Sequence, residues 1–323
     1  MAGNGSQSGD SLPSAKEDEK YVTISALDGG HLTLPEYLFI TDADPERRAT
    51  VPSLCFLIQH PSLGNNGRDT MNLIFDLGLK RDLTQYTPAM ASHIANRQPV
   101  ITEPDCAGSL QAGGLEPDVD IDIVILSHVH WDHVGTPSDY KTAKFFVGSG
   151  TLHVLQNGAG SHYPAEIFNK DLLPTVATFE FPPTSSGDQS IASGRRTGHT
   201  WQSFAGFPNA LDLFGDGSVW VIDAPGHIIG HVNLLARIGK DRWVYLGGDC
   251  CHDVRILKGE KGIATYDDGH GGQRTVHMDT QAATKTLDQI KSFLGKNAQV
   301  QVIVAHDIGW REKNKDKFFP GTI

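Results

Sequence analysis

Short apolar runs separated by turn residues recur along the chain, and this pattern predicts a fold rich in β-strands. Residues 53–58 and 72–76 are two such runs, and the turn Asn65-Asn66-Gly67 between them predicts that they pair as neighbouring strands. We expect the fold to begin near Tyr21. The same reasoning predicts further strands over residues 124–126, 144–147, 219–222, 243–246 and 300–304.

One stretch, residues 280–294, has the spacing of an amphipathic helix. Leu287, Ile290 and Leu294 fall on one face of that helix, and Asp279 is placed to cap its first turn. We therefore expect this helix to pack against the strands through its leucine and isoleucine face.

The pattern of apolar residues differs between three parts of the chain, and this difference predicts the domain organisation. Residues 1–20 hold almost no large apolar side chains, so we expect a disordered N-terminal tail whose removal leaves the fold and activity intact. Residues 21–323 are within reach of a single large domain. Within that domain the pattern weakens over residues 156–217, which we interpret as an inserted region beside the substrate pocket.

Large apolar side chains cluster in the second half of this inserted region. Core packing of an inserted hairpin is their ordinary interpretation, and lining of the substrate pocket is the alternative. The segment Tyr37-Leu38-Phe39-Ile40 is a similar candidate for a pocket wall. The clustered side chains are Trp201, Phe204, Phe207, Leu211, Leu213 and Phe214.

Charge and cysteine content narrow the classes of partner. The net charge is −11 and no Lys/Arg-rich run occurs, so nucleic acid and anionic membranes are poor partners. No apolar run approaches membrane-spanning length. The four cysteines form no C-x-x-C or disulfide spacing and no secretory leader is evident, which predicts a cytoplasmic location. We expect a small-molecule substrate and a monomer or homodimer.

Candidate chemistry is concentrated in Ser127-His128-Val129-His130-Trp131-Asp132-His133, directly after the predicted strand 124–126. His128 and His130 are two positions apart in an extended segment, so their rings project to one side. Asp132 and His133 follow where the chain turns and can face a second point nearby. Imidazole and carboxylate groups bind zinc and other first-row metals. One tetrahedral ion cannot easily use all four neighbours, so the spacing favours two adjacent ions.

Three later segments repeat the arrangement of a strand followed by a metal-binding residue type. His227 lies in the turn after residues 219–222, and Asp249 follows residues 243–246. His306 follows the last predicted strand. Because ligands in sheet proteins gather where strands end, we expect these residues to join the histidine motif.

Together these segments resemble the metallo-β-lactamase superfamily over about residues 51–310. The H-x-H-x-D-H motif carries the resemblance with Pro225-Gly226-His227-Ile228-Ile229-Gly230-His231, Gly247-Gly248-Asp249 and His306. The resemblance implies an α/β protein with an αββα sandwich, in which two facing mixed sheets have helices outside and a metal site at one edge.

The resemblance also implies a role for each candidate ligand. One metal ion would be held by three histidines and the second by an aspartate and two histidines, with Asp249 bridging the ions. We interpret His231 as a hydrogen-bonding brace rather than a ligand. The implied ligand sets are His128, His130 and His227 for the first ion, and Asp132, His133 and His306 for the second.

Within the superfamily the chain looks most like the N-acyl homoserine lactone lactonases and their relatives. Those lactonases often have a tyrosine three residues after the bridging aspartate, where it helps bind the substrate carbonyl; this chain has His252. His252 either donates a proton or hydrogen bond to the reacting group, or braces Asp253 or a backbone carbonyl. The departure leaves a lactone, a lactam and a cyclic carbamate as candidate substrates.

The implied activity is hydrolysis with two Zn²⁺ ions, or other divalent first-row ions, as cofactors. Water shared by two cations ionises near neutral pH, so a metal-bridging hydroxide is the expected nucleophile. Asp132 or Asp249 would orient it or pass a proton to the leaving group. One alternative is a thioesterase that releases polyketide from a carrier protein. An alternative of another class is a non-catalytic module that binds metal or ligand.

Overall fold

The computed structural model describes residues 9–62, 64, 67–185, 187–192, 194–269 and 271–323. Two six-stranded sheets and a two-stranded hairpin make up its strands. In the predicted turn Asn65-Asn66-Gly67, the two asparagines lie outside the described residues, as do residues 1–8 of the expected tail.

The first sheet has the strand order β1-β2-β3-β4-β5-β6. Neighbours β1, β2 and β3 are antiparallel, whereas β3, β4, β5 and β6 run parallel, so the sheet is mixed. The strands predicted over 53–58, 72–76, 124–126 and 144–147 are confirmed as β2 to β5. The bounds are β1 Thr23–Pro35, β2 Arg48–His60, β3 Met71–Phe75, β4 Ile123–Ile125, β5 Lys144–Val147 and β6 Thr178–Glu180.

The second sheet has the order β14-β11-β10-β9-β8-β7. All neighbours are antiparallel except β11 and β14, which run parallel. The predicted strands over 219–222, 243–246 and 300–304 are confirmed as β9, β11 and β14. The bounds are β7 Gln202–Phe204, β8 Phe207–Asp212, β9 Val219–Asp223, β10 Val232–Gly239, β11 Arg242–Leu246 and β14 Val300–Ile303, and the hairpin is β12 Tyr266–Asp267 with β13 Gln273–Arg274.

Helices cover the outer faces of both sheets. The predicted helix is α6, where the side chain of Asp279 accepts a hydrogen bond from Ala282 N, as expected of an N-cap. Leu287 and Ile290 are buried on its inner face, and Leu294 is partly buried there. The helices are α1 Pro88–Ala95, α2 Cys106–Ala112, α3 Pro117–Asp120, α4 Thr151–Asn157, α5 Val254–Leu257, α6 Thr280–Lys296 and α7 Ile308–Lys313.

Three apolar clusters show the order of the layers. The central cluster joins strands of both sheets, for example Phe56 of the first and Leu234 of the second. A second cluster packs the first sheet against helices that include α1 and α2. A third packs the second sheet against α5 and α6, with Tyr245 and Phe293 in contact. The predicted αββα sandwich of two mixed sheets is therefore confirmed.

Part of the segment expected to be a disordered tail, the described residues 9–20, contacts the rest of the folded domain. Leu12 is buried, and its backbone N donates to Asn297 Oδ1 over 2.9 Å. Glu19 forms an ion pair with Arg237, whose side chain is fully buried. These contacts leave no local pattern in the sequence, because one leucine and one carboxylate pack onto groups of the second sheet and α6 that are distant in the chain.

Residues 156–217 differ from a simple insertion. They carry β6 at the edge of the first sheet and β7 and β8 at the edge of the second, so the segment is the crossover between the sheets. The aromatic side chains of 201–214 pack within or against the apolar clusters, in agreement with core packing. Edge strands of three to six residues leave little periodic pattern, which explains the weak signal.

Among the described residues no helix has the length and apolar character needed to cross a membrane. The four cysteines are free and buried, and Cys250 and Cys251 belong to the cluster between the second sheet and its helices. Their packing role agrees with the absence of disulfide spacing in the sequence.

Candidate metal centre

The H-x-H-x-D-H motif leaves the first sheet after β4 and is held in place by Asp76, which follows β3. The positive φ of Asp76, 61°, turns its carboxylate towards the motif. That carboxylate accepts hydrogen bonds from Ser127 N at 2.6 Å, Ser127 Oγ at 2.7 Å and His133 Nδ1 at 2.8 Å. Because His133 is held through Nδ1, its Nε2 faces Asp249 Oδ1 at 3.2 Å.

The second sheet contributes three residues, each after a strand end. His227 follows β9, Asp249 follows β11 and His306 follows β14. Strands β9 and β11 both run antiparallel to β10, and β14 runs parallel to β11. All three strands therefore point the same way, and their carboxyl ends lie at one edge of the sheet, next to the motif.

Three imidazoles converge on one point of this edge. His130 Nδ1 lies 3.0 Å from His128 Nε2 and 2.9 Å from His227 Nε2. Asp249 Oδ2 is 3.8 Å from His128 Nε2 and 3.5 Å from His227 Nε2. These four residues offer ligand atoms that all lie within 4.8 Å of one another. The structure thus brings together the residues expected for the first ion.

Asp132, His133 and His306 form the second group, again with ligand atoms within 4.8 Å of one another. His306 Nδ1 donates to Pro52 O at 2.8 Å, so its Nε2 faces inward, 3.2 Å from Asp249 Oδ1. Asp249 thus presents Oδ1 to the second group and Oδ2 to the first. This is the arrangement that a bridging carboxylate requires.

The residues present fit divalent metal ions. His133 Nε2, His306 Nε2 and Asp249 Oδ1 are buried and have no hydrogen-bond partner among the described residues. Buried polar atoms are nearly always partnered, so the convergence of these three indicates a place for a cation. The donor set of imidazoles and carboxylates suits zinc and other first-row ions.

The protonation of the site also suits metal binding. Burial lowers the pKa of His130 to about 3 and holds the pKa of His128 and His227 well below the usual range. These imidazoles are therefore neutral, which is the form that ligates. Burial alone would raise the pKa of the Asp249 carboxyl, but His133, His306 and His252 hold that pKa well below its usual range.

His231 and His252 take different positions beside Asp249. His231 Nδ1 donates to Ala224 O at 3.1 Å, and its Nε2 accepts from Asp249 N at 3.2 Å, which agrees with its interpretation as a brace. His252 Nε2 lies 3.0 Å from Asp249 Oδ2, and its ring is nearly parallel to that of His306. The Nδ1 atom of His252 is buried and has no hydrogen-bond partner among the described residues.

His277 is a further histidine at the site that was not among the residues predicted from the sequence. Its Nδ1 lies 3.1 Å from Nδ1 of His227, and its ring is 5.7 Å from that of His252. His277 is buried, and it contacts His227 on the Nδ1 side of the ring, away from the Nε2 atom that faces the ligand group. His277 follows no strand of the two sheets and belongs to no motif, so the sequence offered no signal for it.

A cavity of about 310 Å³ lies over the two ligand groups. Leu38 and Phe39 line it, as expected for a pocket wall, and residues 156–217 contribute His162, Tyr163 and Ile167. The apolar side chains of 201–214 do not line it. The remaining wall comes from Leu32, Leu34, Met90, His93, Arg97, Trp131, Tyr266, Arg274 and Val276.

A sandwich of two mixed sheets with such a His/Asp centre at one edge has the metallo-β-lactamase architecture. No family model matches the chain. Its fold is similar to a mutant of B. thuringiensis AiiA with N-decanoyl-L-homoserine bound at the active site, with a TM-score of 0.62, 17% identity, and 94% of this chain and 99% of the other covered. It is also similar to AidC, a dizinc quorum-quenching lactonase, with a TM-score of 0.57, 12% identity, and coverage of 92% and 90%.

Two of the sequence relatives carry the names of hydrolases. Cytochrome P450 monooxygenase mpaDE' of Penicillium brevicompactum is 29% identical over 94% of this chain, but the chain spans only 35% of that relative. Metallo-hydrolase mfmC of Annulohypoxylon moriforme is 29% identical over 94% of this chain and 82% of its own length. Gamma-lactamase FDB1 of Fusarium pseudograminearum is 28% identical over 62% and 45%. The predicted resemblance to the metallo-β-lactamase superfamily, on its lactonase-like side, is confirmed.

Proposed function

We propose that the protein is a hydrolase that holds two divalent metal ions, with zinc as the native metal, and opens a small cyclic ester or amide. The observation that carries the proposal is Asp249, whose two oxygens face two separate groups of ligand atoms beneath a cavity of substrate size. The names of mfmC and FDB1, and the dizinc lactonase AidC, support a metal-dependent hydrolase of this kind.

The ligand assignment follows the two groups. His128, His130 and His227 would hold one ion, and Asp249 would bridge to the other. The metal ions would supply a water of lowered pKa as nucleophile and polarise the substrate carbonyl. The ligands of the second ion would be Asp132, His133 and His306.

The reaction consumes one water. Its oxygen bonds to the carbonyl carbon, the bond from that carbon to the ring oxygen or nitrogen breaks, and the leaving atom gains a proton. His252 lies against Asp249 Oδ2 in the cavity wall and is placed to deliver that proton. An amide nitrogen needs protonation to leave, so His252 serves a lactam or cyclic carbamate more than a lactone.

The proposal is tested with metal-replete protein and a panel of lactones, lactams, cyclic carbamates and thioesters, read out by proton release. We expect turnover of a cyclic substrate by protein that holds about two metal ions per chain, measured by elemental analysis. A chelator should remove these ions and abolish the turnover. Asp249→Ala should lose metal and turnover together. Full activity of metal-depleted protein, or preferred turnover of thioesters, would contradict the proposal.

A further inference from the structure

Two arginines in the cavity wall have no role in the hydrolysis as proposed. Arg97 follows helix α1, Arg274 ends β13, and both side chains are half-buried. The guanidinium of Arg274 lies 5.9 Å from the ring centre of Tyr163 and 5.5 Å from that of Tyr266. Both arginines thus line the same cavity as the candidate metal ligands.

Neither guanidinium has a carboxylate partner. Ion pairs within 4.0 Å among the described residues include neither Arg97 nor Arg274, whereas Arg255 is paired with Asp253 and Arg311 with Asp28. The residues outside the description contain no aspartate or glutamate. Neither arginine of this cavity therefore has a carboxylate in direct contact, and the acidic neighbour that acts on Arg97 is Asp132, a candidate metal ligand.

The hydrogen bonding of these side chains is also incomplete. Nε of Arg274 is buried without a partner among the described residues. The side chain of Arg97 makes one long bond, from Nη1 to Asn96 O at 3.4 Å. Burial lowers the pKa of Arg97, as expected for a cation that has lost water. Both remain charged at neutral pH, because arginine does not deprotonate in proteins.

The carboxylates of the cavity are already engaged. Within the described part of the chain, Asp132 and Asp249 are its only acidic lining residues, and both face the ligand groups. The rest of the wall is largely apolar or aromatic and suits a flat ring. The side chains that supply this surface are Leu34, Leu38, Phe39, Trp131, Tyr163 and Val276.

We propose that the substrate is an aromatic cyclic ester or amide that carries a carboxylate, bound by Arg97 and Arg274 while its ring carbonyl lies over the two groups of candidate metal ligands. The inference rests on the proposed hydrolase function and adds the charge of its substrate. Guanidinium groups pair with carboxylates through two parallel hydrogen bonds, so the two arginines would fix both the charge and the orientation of the substrate.

The test compares two substrates that differ only in this charge. Metal-loaded protein is given a dihydrocoumarin with a carboxylate on its benzene ring, and the methyl ester of that compound. We expect kcat/KM to favour the carboxylate by about 10-fold or more, mainly through KM. Arg274→Gln and Arg97→Gln should each reduce that preference to within about 2- to 3-fold of equality. Arg242→Gln is the matched control, because Arg242 is exposed and does not line the cavity; it should keep the preference.

Direct binding separates this inference from the hydrolase proposal. By calorimetry, benzoate should bind the metal-loaded protein more tightly than benzamide, and Arg274→Gln should remove that difference. Equal kcat/KM for the two dihydrocoumarins, or a preference that neither arginine variant reduces, would overturn the inference while leaving hydrolysis established. Arginine-dependent benzoate binding without turnover of either compound would support the anion site and contradict the hydrolase proposal.

Discussion

Asp249 and Asp76 are two buried carboxylates with different tasks. Asp249 directs its oxygens at two groups of imidazoles, and Asp76 holds His133 and Ser127 from behind. On the proposed assignment, removing Asp249 would remove a ligand that both ions share, whereas removing Asp76 would remove the hydrogen-bond partner that orients His133. Substitution of the two aspartates is therefore expected to affect metal affinity differently.

We predict that Asp76→Asn weakens the second metal ion about 10- to 100-fold and leaves the first nearly unchanged. An amide can keep only part of the bonding to Ser127 and His133, so His133 Nε2 is no longer fixed towards Asp249. Competition with a chromogenic chelator would measure the two affinities. Asp188→Asn, in an exposed loop, is the control. Equal weakening of both ions would contradict the selective role.

His252→Ala is predicted to retain both metal ions and to lose about 10²–10⁴ in kcat, with a larger loss for a lactam than for a lactone. The reason is the position of His252 at 3.0 Å from Asp249 Oδ2, outside the two ligand groups proposed above. Elemental analysis and steady-state kinetics check the two parts. Unchanged turnover would show that His252 only braces its neighbours, and loss of metal would show that His252 is itself a ligand.

At the scale of elements, the turn between β9 and β10 joins the candidate metal centre to helix α6. Gly226 has a φ of +125°, and a Cβ at this position would overlap the backbone N of Ala283 in α6. Asp279 N donates to Gly226 O, and Met278 N donates to His227 O, each at 2.9 Å. The close approach of the helix therefore fixes the turn that carries His227.

Gly226→Ala should destabilise the protein by about 2–4 kcal/mol and lower its metal affinity, because the methyl group meets backbone and the φ is strained. Gly295→Ala in the same helix is the matched control, since no atom lies within 4 Å of its added Cβ. We expect it to stabilise by up to about 1 kcal/mol. Thermal unfolding with and without metal measures both. Equal stability of the two variants would contradict this account.

At the scale of the whole molecule, the N-terminal segment closes the outer side of the second sheet. Arg237 donates to Pro13 O at 3.0 Å and pairs with Glu19, while Lys296 of α6 pairs with Asp10 at 2.6 Å. Because Arg237 is fully buried, the segment supplies its counter-ion. The segment is thus part of the folded domain.

Glu19→Ala is predicted to reduce the free energy of unfolding by about 2–4 kcal/mol, since it leaves a buried guanidinium unpaired. Glu17→Ala, two positions earlier and exposed, should change stability by less than about 0.5 kcal/mol. Chemical denaturation of the two variants makes the comparison. A Glu19 variant as stable as the Glu17 variant would show that water replaces the ion pair.

Local sequence patterns predicted most of the strands and the sheet edge where the candidate ligands meet, and the resemblance to a known superfamily implied the sandwich. Apolar runs define β4, β9, β11 and β14, and each ligand segment directly follows its strand. Because three strands of the second sheet run in the same direction, the side chains that follow them meet at one edge. The roles of the individual ligands and of His252 stay predictions, tested by the experiments above.

Three features came to light in the folded chain alone: His277 behind His227, the packing of Leu12, and the unpaired charges of Arg97 and Arg274. Each depends on contacts between segments far apart in the chain, and such contacts leave no periodic or motif signal. Burial also decides their chemistry, because a charge without a partner costs free energy only where the fold has removed water. The strands and the ligand segments that follow them could be predicted from the sequence. The burial and the partners of each side chain were decided by the tertiary structure.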